Sequence, residues 1–164
     1  MHILTIEETY ALFNKLAQER GNPVVTEEVF RAALEKLGDE HLYPYYKEVW
    51  HTNPFLGNCQ VVSEFVFRYL AEEGTQIYAI DSFSQKESEH WYCKNIEKNY
   101  IIDLTNDGRF ILSATDEFKL LQGERLLCKK LAEYMGYQGR LRKNKQARFG
   151  QKDKIDLTIE HKYW

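Results

Sequence analysis

Asn53-Pro54-Phe55-Leu56-Gly57-Asn58-Cys59 is followed along the chain by Glu89-His90-Trp91-Tyr92 and then by Ile101-Ile102-Asp103-Leu104-Thr105. The three words carry a cysteine, a histidine and an aspartate in that order, each where the local pattern changes. Gly57-Asn58 is turn chemistry. After it Val62, Phe65, Val66, Tyr69 and Leu70 recur at helical spacing until Gly74, so the pattern predicts a helix from Cys59 to Glu72 with one buried stripe. Cys59 stands at its N-terminal tip.

From Thr75 the period changes to two. Ile77, Ala79 and Asp81 alternate with Tyr78 and Ile80, which predicts a strand, and Ser82 to Ser88 reads as a polar loop. Glu89 to Ile96 and Tyr100 to Leu104 read as two further strands joined by a turn within Asn95 to Asn99. A hairpin loop of two or four residues makes the numbers of paired residues sum to an odd value, as 90 and 103 do. His90 and Asp103 are therefore expected on one face of the hairpin, opposite or diagonal to each other.

The flanks supply helices. Thr5 and Glu8 form a capping box ahead of Ile6, Tyr10, Phe13, Leu16 and Ala17, with Gly21 as the stop. A second helix follows Thr26, apolar at Val29, Phe30, Ala33, Leu34 and Leu37, with Gly38 expected at its end. His41 to Trp50 is rich in aromatics and broken by Pro44. Beyond Thr105 come the loop Asn106-Asp107-Gly108-Arg109, an apolar run from Phe110 to Leu112, a brief helix from Thr115 to Leu121 and a firmer one from Glu124 to Tyr134. Ile155 to Ile159 alternates like an edge strand. The expected class is α+β in one domain spanning 1–164: a helical part at 1–50, a core at 51–113, a helical part at 114–138 and a basic tail at 139–164.

The chain of 164 residues is 43% hydrophobic and 29% charged, which suits a globular domain rather than a disordered one. Its cysteines, Cys59, Cys93 and Cys128, are odd in number and lack Cys-x-x-Cys spacing, pointing to a reduced, cytoplasmic setting. No secretory leader and no apolar run long enough for a membrane span is legible. The net charge of -3 hides an asymmetry, because Gly139 to Lys154 holds seven basic residues against Asp153 alone. Charge runs are usually solvated surface. The acidic remainder argues against nucleic acid as the partner, although a basic segment can neutralise phosphates. Oligomeric state is not encoded legibly.

A thiol attacks as its thiolate, which a helix N-terminus and a neighbouring imidazolium both favour. The imidazole must turn one nitrogen to the sulfur and have the other held by an acceptor. Cys59, His90 and Asp103 fit these roles in turn. An oxyanion needs donors; the Cys59 backbone N–H is one, with the side-chain amide of Asn53 or Asn58 as the second. Trp50 and Trp91 flank the candidate residues and are read as substrate-binding aromatics. Cys93 and Cys128 lack this context and read as structural. The chemistry needs no cofactor and no metal; Cys, His and Asp can also ligate zinc, but no paired ligand spacing supports it.

The words Asn-Pro-x-x-Gly-Asn-Cys, His-Trp-Tyr and Ile-Asp-Leu-Thr resemble the pattern of the YunG-like family, small bacterial proteins with a papain-like core related to the NlpC/P60 and transglutaminase-like folds. The resemblance covers about 53–105. It implies a papain-like fold, with N-terminal helices and a Cys-bearing helix on an antiparallel sheet carrying His and Asp, and Cys59, His90 and Asp103 as a triad acting on a peptide or protein amide. Two departures stand out: Asn58 occupies a position where that family has Gln, and the segment after Thr105 is longer. A different class of function also fits the sequence, a non-catalytic module that docks a partner through the basic tail and the aromatic-rich 42–50 stretch.

Overall fold

The computed structural model describes residues 1–41, 53–55, 58–81, 89–105, 118–119 and 125–137. Helix α1 (Ile6–Arg20) begins at the expected capping box. Glu8 donates its N–H to Thr5 Oγ1 at 3.1 Å, and its carboxylate accepts the Thr5 N–H at 2.8 Å. Gly21 ends it in the left-handed region at φ +65°, a conformation that costs glycine nothing. The connection to the next helix is clasped by Asn14, whose amide donates to Val25 O at 2.9 Å and accepts the Val25 N–H at 2.8 Å.

Helix α2 (Glu27–His41) runs through Gly38 instead of ending there. A glycine inside a helix costs about 1 kcal/mol. Burial of Leu34 and Leu37, both fully enclosed, offsets it.

Helix α3 (Cys59–Phe65) passes directly into a π-helical segment, Val66–Leu70, which stops at Ala71. The single α-helix expected as far as Glu72 is thus shorter, and wider in its second half. Its surroundings explain the difference. Every residue from Val61 to Ala71 is buried, so this is a central rod enclosed on all sides rather than a helix with one inward stripe. Arg20 of α1 donates to the Ala71 carbonyl at 2.9 Å and the Tyr69 carbonyl at 3.5 Å, satisfying acceptors the helix end leaves open.

Enclosure also traps charge. Glu64 accepts hydrogen bonds from Arg68 Nε at 2.9 Å and the Arg125 backbone N–H at 3.2 Å and forms an ion pair with Arg125 Nε at 2.7 Å, with the Glu64 side chain 1% exposed. Arg125 immediately precedes helix α4 (Leu126–Tyr134), which starts two residues later than expected.

Five strands form one sheet among the described residues: β1 (His2–Ile3), β2 (Thr75–Asp81), β3 (Glu89–Asn95), β4 (Tyr100–Ile102) and β5 (Phe118–Lys119). Their order is β1-β4-β3-β2-β5. The sheet is mixed rather than purely antiparallel, because β1 pairs parallel to β4. Phe118–Lys119 pairs with Ile77 and Tyr78 as a strand, where Thr115 to Leu121 was expected to be helical. Two residues are too few to show a period, so pairing with β2 decides the matter.

The β3-β4 hairpin pairs Cys93 with Ile102, Lys94 with Ile101 and Asn95 with Tyr100, each sum odd as expected. Its turn, 96–99, places Asn99 at φ +60°, which asparagine tolerates, and the Asn95 side chain accepts the Lys98 N–H at 3.0 Å. Trp91 and Cys93 belong to the main core with α3, where Cys93 Sγ donates to Ser63 O at 3.3 Å. Tyr92 and Ile101 form a second cluster with Tyr78, and the buried Lys94 ammonium lies 4.2 Å from the centre of the Tyr78 ring. His90 and Asp103 share the parity of this second face.

Among the described residues no helix is long and apolar enough to cross a membrane. The aromatic stretch 42–50 with Trp50, the loop 82–88, the segment 106–112, the basic tail and the strand expected at 155–159 lie outside the described residues.

Candidate active site

The loop before Cys59 is fixed by its own polar atoms and one aromatic anchor. Asn53 Oδ1 accepts the Phe55 N–H at 3.1 Å, a local asparagine turn. Asn58 donates its N–H to Phe55 O at 3.2 Å and its side-chain amide to Pro54 O at 2.7 Å. Phe55 is 6% exposed and meets Phe30 of α2 edge to face at 5.3 Å. Phe30 of α2 therefore anchors, at Phe55, the segment that leads to the thiol. Helix α3 opens as the Asn58 carbonyl accepts the Val62 N–H at 2.9 Å, and Cys59, its first residue, is half-buried.

His90 lies near the start of β3. Its Nε2 donates to Asp103 Oδ2 at 2.6 Å, with the two side chains 3% and 1% exposed. The thiol of Cys59 is a further hydrogen-bond partner of the same imidazole. With Nε2 committed to Asp103, Nδ1 is the nitrogen left for the sulfur. The three predicted residues are thus joined in one row.

Asp103 is held from behind. Thr105 donates both its N–H, at 3.1 Å, and its hydroxyl, at 3.2 Å, to Oδ1. Read from sequence alone, Thr105 has no assigned role. The available signal was the Asp-x-Thr spacing, in which a carboxylate can accept from the residue two further on.

Burial lowers the affinity of His90 for a proton, but hydrogen bonding to Asp103, then to Cys59, and the charge of both more than offset it. The pKa is raised from 6.5 to about 9. Folding therefore favours the imidazolium: this contribution is fully present below pH 6.5 and is lost as pH rises through about 9. We expect wild-type stability in denaturant titrations to fall by up to ~3 kcal/mol relative to His90→Gln between about pH 7 and pH 10. A difference that stays flat over that range contradicts the charged pair.

The two oxyanion candidates sit in the loop. Asn53 uses its carbonyl oxygen in the turn, and Asn58, 1% exposed, turns its amide back to Pro54 rather than capping α3, its Oδ1 without a hydrogen-bond partner among the described residues. Trp91 is 4% exposed in the main core, with the Arg125 guanidinium 5.9 Å from its ring centre. That position is one of packing, in place of the substrate contact expected for it. Cys93 and Cys128 are both buried, in keeping with their structural reading.

No group of three or more His, Cys, Asp or Glu side chains arranged to hold a metal ion occurs among the described residues. No family model, no curated protein and no solved structure matches the chain.

Proposed function

We propose that this protein is a cysteine hydrolase or acyltransferase acting on an amide carbonyl of a peptide or protein, built on a papain-like core. The observation that carries the reading is the buried row in which Asp103 holds His90 Nε2 at 2.6 Å while the same ring partners Cys59. The resemblance of the three sequence words to the YunG-like family points the same way.

The chemistry follows from the row. An imidazolium beside the sulfur favours the thiolate, which attacks the carbonyl carbon to give a tetrahedral oxyanion. As the carbon–nitrogen bond breaks, His90 Nδ1 gives its proton to the departing amine and a thioester remains on Cys59. The now neutral ring takes a proton from water, or from an acceptor amine, as that nucleophile attacks the thioester; collapse frees Cys59. Asp103 keeps the ring in register through both half-reactions and stabilises its charged form.

The test is mass-spectrometric mapping of the folded protein after limiting treatment with a mild thiol electrophile such as iodoacetamide. Cys59 is expected to be modified well ahead of Cys93 and Cys128, both of which are enclosed. Equal modification of the three, or a native Cys59 no faster than a free cysteine in a peptide, refutes the reading. A panel of electrophiles on peptide, glutamine-amide and ubiquitin-like scaffolds then sorts substrates.

A further inference from the structure

We infer that Thr105 is a positioning residue: it anchors one oxygen of Asp103, and so holds the other against His90 Nε2 and keeps Nδ1 turned to Cys59. The inference rests on the cysteine-hydrolase reading above.

The carboxylate of an aspartate turns about a soft, roughly two-fold torsion, so its two oxygens are interchangeable unless something distinguishes them. Here something does. Oδ1 accepts two bonds from one residue, the Thr105 N–H at 3.1 Å and the Thr105 hydroxyl at 3.2 Å. Oδ2 is left for His90 Nε2 at 2.6 Å. Thr105 is 8% exposed, so water competes poorly for either donor.

Backbone position makes this clamp necessary. Strand β4 ends at Ile102, one residue before Asp103, so the sheet ladder no longer fixes the chain where the carboxylate departs. The two Thr105 donors take over that task by closing a short turn onto the side chain. With the acceptor fixed, the Nε2–H bond to Asp103 holds the imidazolium in place and keeps its Nδ1–H turned to the sulfur. A carboxylate free to swing would loosen that bond, and the ring would then hold its second proton, and the thiolate beside it, less well.

Three variants test the inference. Thr105→Val removes the hydroxyl while keeping the backbone donor and the shape, Thr105→Ser restores the hydroxyl, and Thr105→Ala removes it without bulk should the second methyl of valine not pack. Long-range proton–nitrogen NMR reports the protonation of both ring nitrogens of His90 against pH, and iodoacetamide capture of Cys59 is followed over the same range. In the valine and alanine variants we expect capture at neutral pH to slow roughly tenfold, the value of one hydrogen bond to a charged group. The rising limb of the pH profile should move to higher pH, and the Nε2–H signal of His90 should weaken. Serine should restore all three.

A merely structural Thr105 would lower the melting temperature and leave the nitrogen spectrum and the pH profile where they are. That result overturns the inference while selective capture of Cys59 in the wild type leaves the enzyme reading standing. Absence of selective capture in the wild type removes both together.

Discussion

His90→Gln is expected to slow capture of Cys59 by a neutral electrophile at pH 6 by at least ~10-fold, and to lower turnover of any substrate by ~10²-fold or more. Glutamine is the informative replacement because its amide reaches about as far as Nε2 and can still donate to Asp103, so the buried carboxylate keeps a partner and the fold is spared. What it lacks is a group that accepts a proton.

The magnitude follows from charge states. An ordinary cysteine with a pKa near 8.5 is thiolate in about one molecule in 300 at pH 6, so a partner that holds the charge pair raises the reactive fraction by up to ~10². Part of that gain is lost, since a more stable thiolate is a weaker nucleophile, and about tenfold remains. Turnover suffers more because His90 also delivers the proton to the leaving amine, a task worth about 10² to 10⁴ in rate. The experiment is stopped-flow or quenched capture across pH 5 to 9 on both proteins. Superimposable profiles would remove His90 from the chemistry.

Glu64→Ala is expected to cost about 3–5 kcal/mol of folding stability, the usual consequence of deleting one member of a buried ion pair. Set against a typical total of about 5–15 kcal/mol, a loss of that size leaves little margin. Arg68 and Arg125 both lean on this carboxylate, their side chains 3% and 16% exposed, and the first N–H of the α4 approach ends on it as well. Removing it takes a carboxylate partner from two cations beside the central rod. The companion variant Glu64→Met/Arg68→Met removes charge from both sides and should cost less than Glu64→Ala alone, because hydrophobic replacement of a buried pair is often nearly neutral. Urea titration measures both. A loss below about 1 kcal/mol for Glu64→Ala would mean that the pair is solvated.

The parts of this architecture that announce themselves in sequence are those governed by local chemistry. Thr5, Glu8 and Gly21 bound α1 as written, because a capping box and a left-handed glycine act within a few residues. Alternation at Ile77, Tyr78 and Ala79 and the parity of 90 and 103 place the hairpin and its His90 and Asp103 side chains. What escapes is set by tertiary surroundings. Glu64 and Arg68 have the i, i+4 spacing of an ordinary surface pair, and nothing local shows that both are buried. The widened turn at Val66–Leu70 and the strand at Phe118–Lys119 leave no periodic trace, and neither does the passage of α2 through Gly38. Within the site, Cys59, His90 and Asp103 are legible from order and spacing, whereas Thr105 is marked only by the Asp-x-Thr spacing, because its two bonds to Asp103 depend on how the chain bends after β4. Trp91 misleads for a simple reason: next to His90 in sequence, it belongs to the opposite side of the strand.

The odd pairing sum in the β3-β4 hairpin has a consequence for how this segment can vary. Residues 96–99 make the whole connection, and His90 and Asp103 meet only because that count is even. Adding or deleting one residue there reverses the parity of everything downstream and sends the carboxylate through to the helix side, unless a bulge absorbs the extra residue. Two residues can be inserted without changing faces, sliding the pairing by a single rung at most. Length variation in this connection should therefore come in pairs, and a homologue with an odd change must also carry a compensating irregularity in one of the two strands.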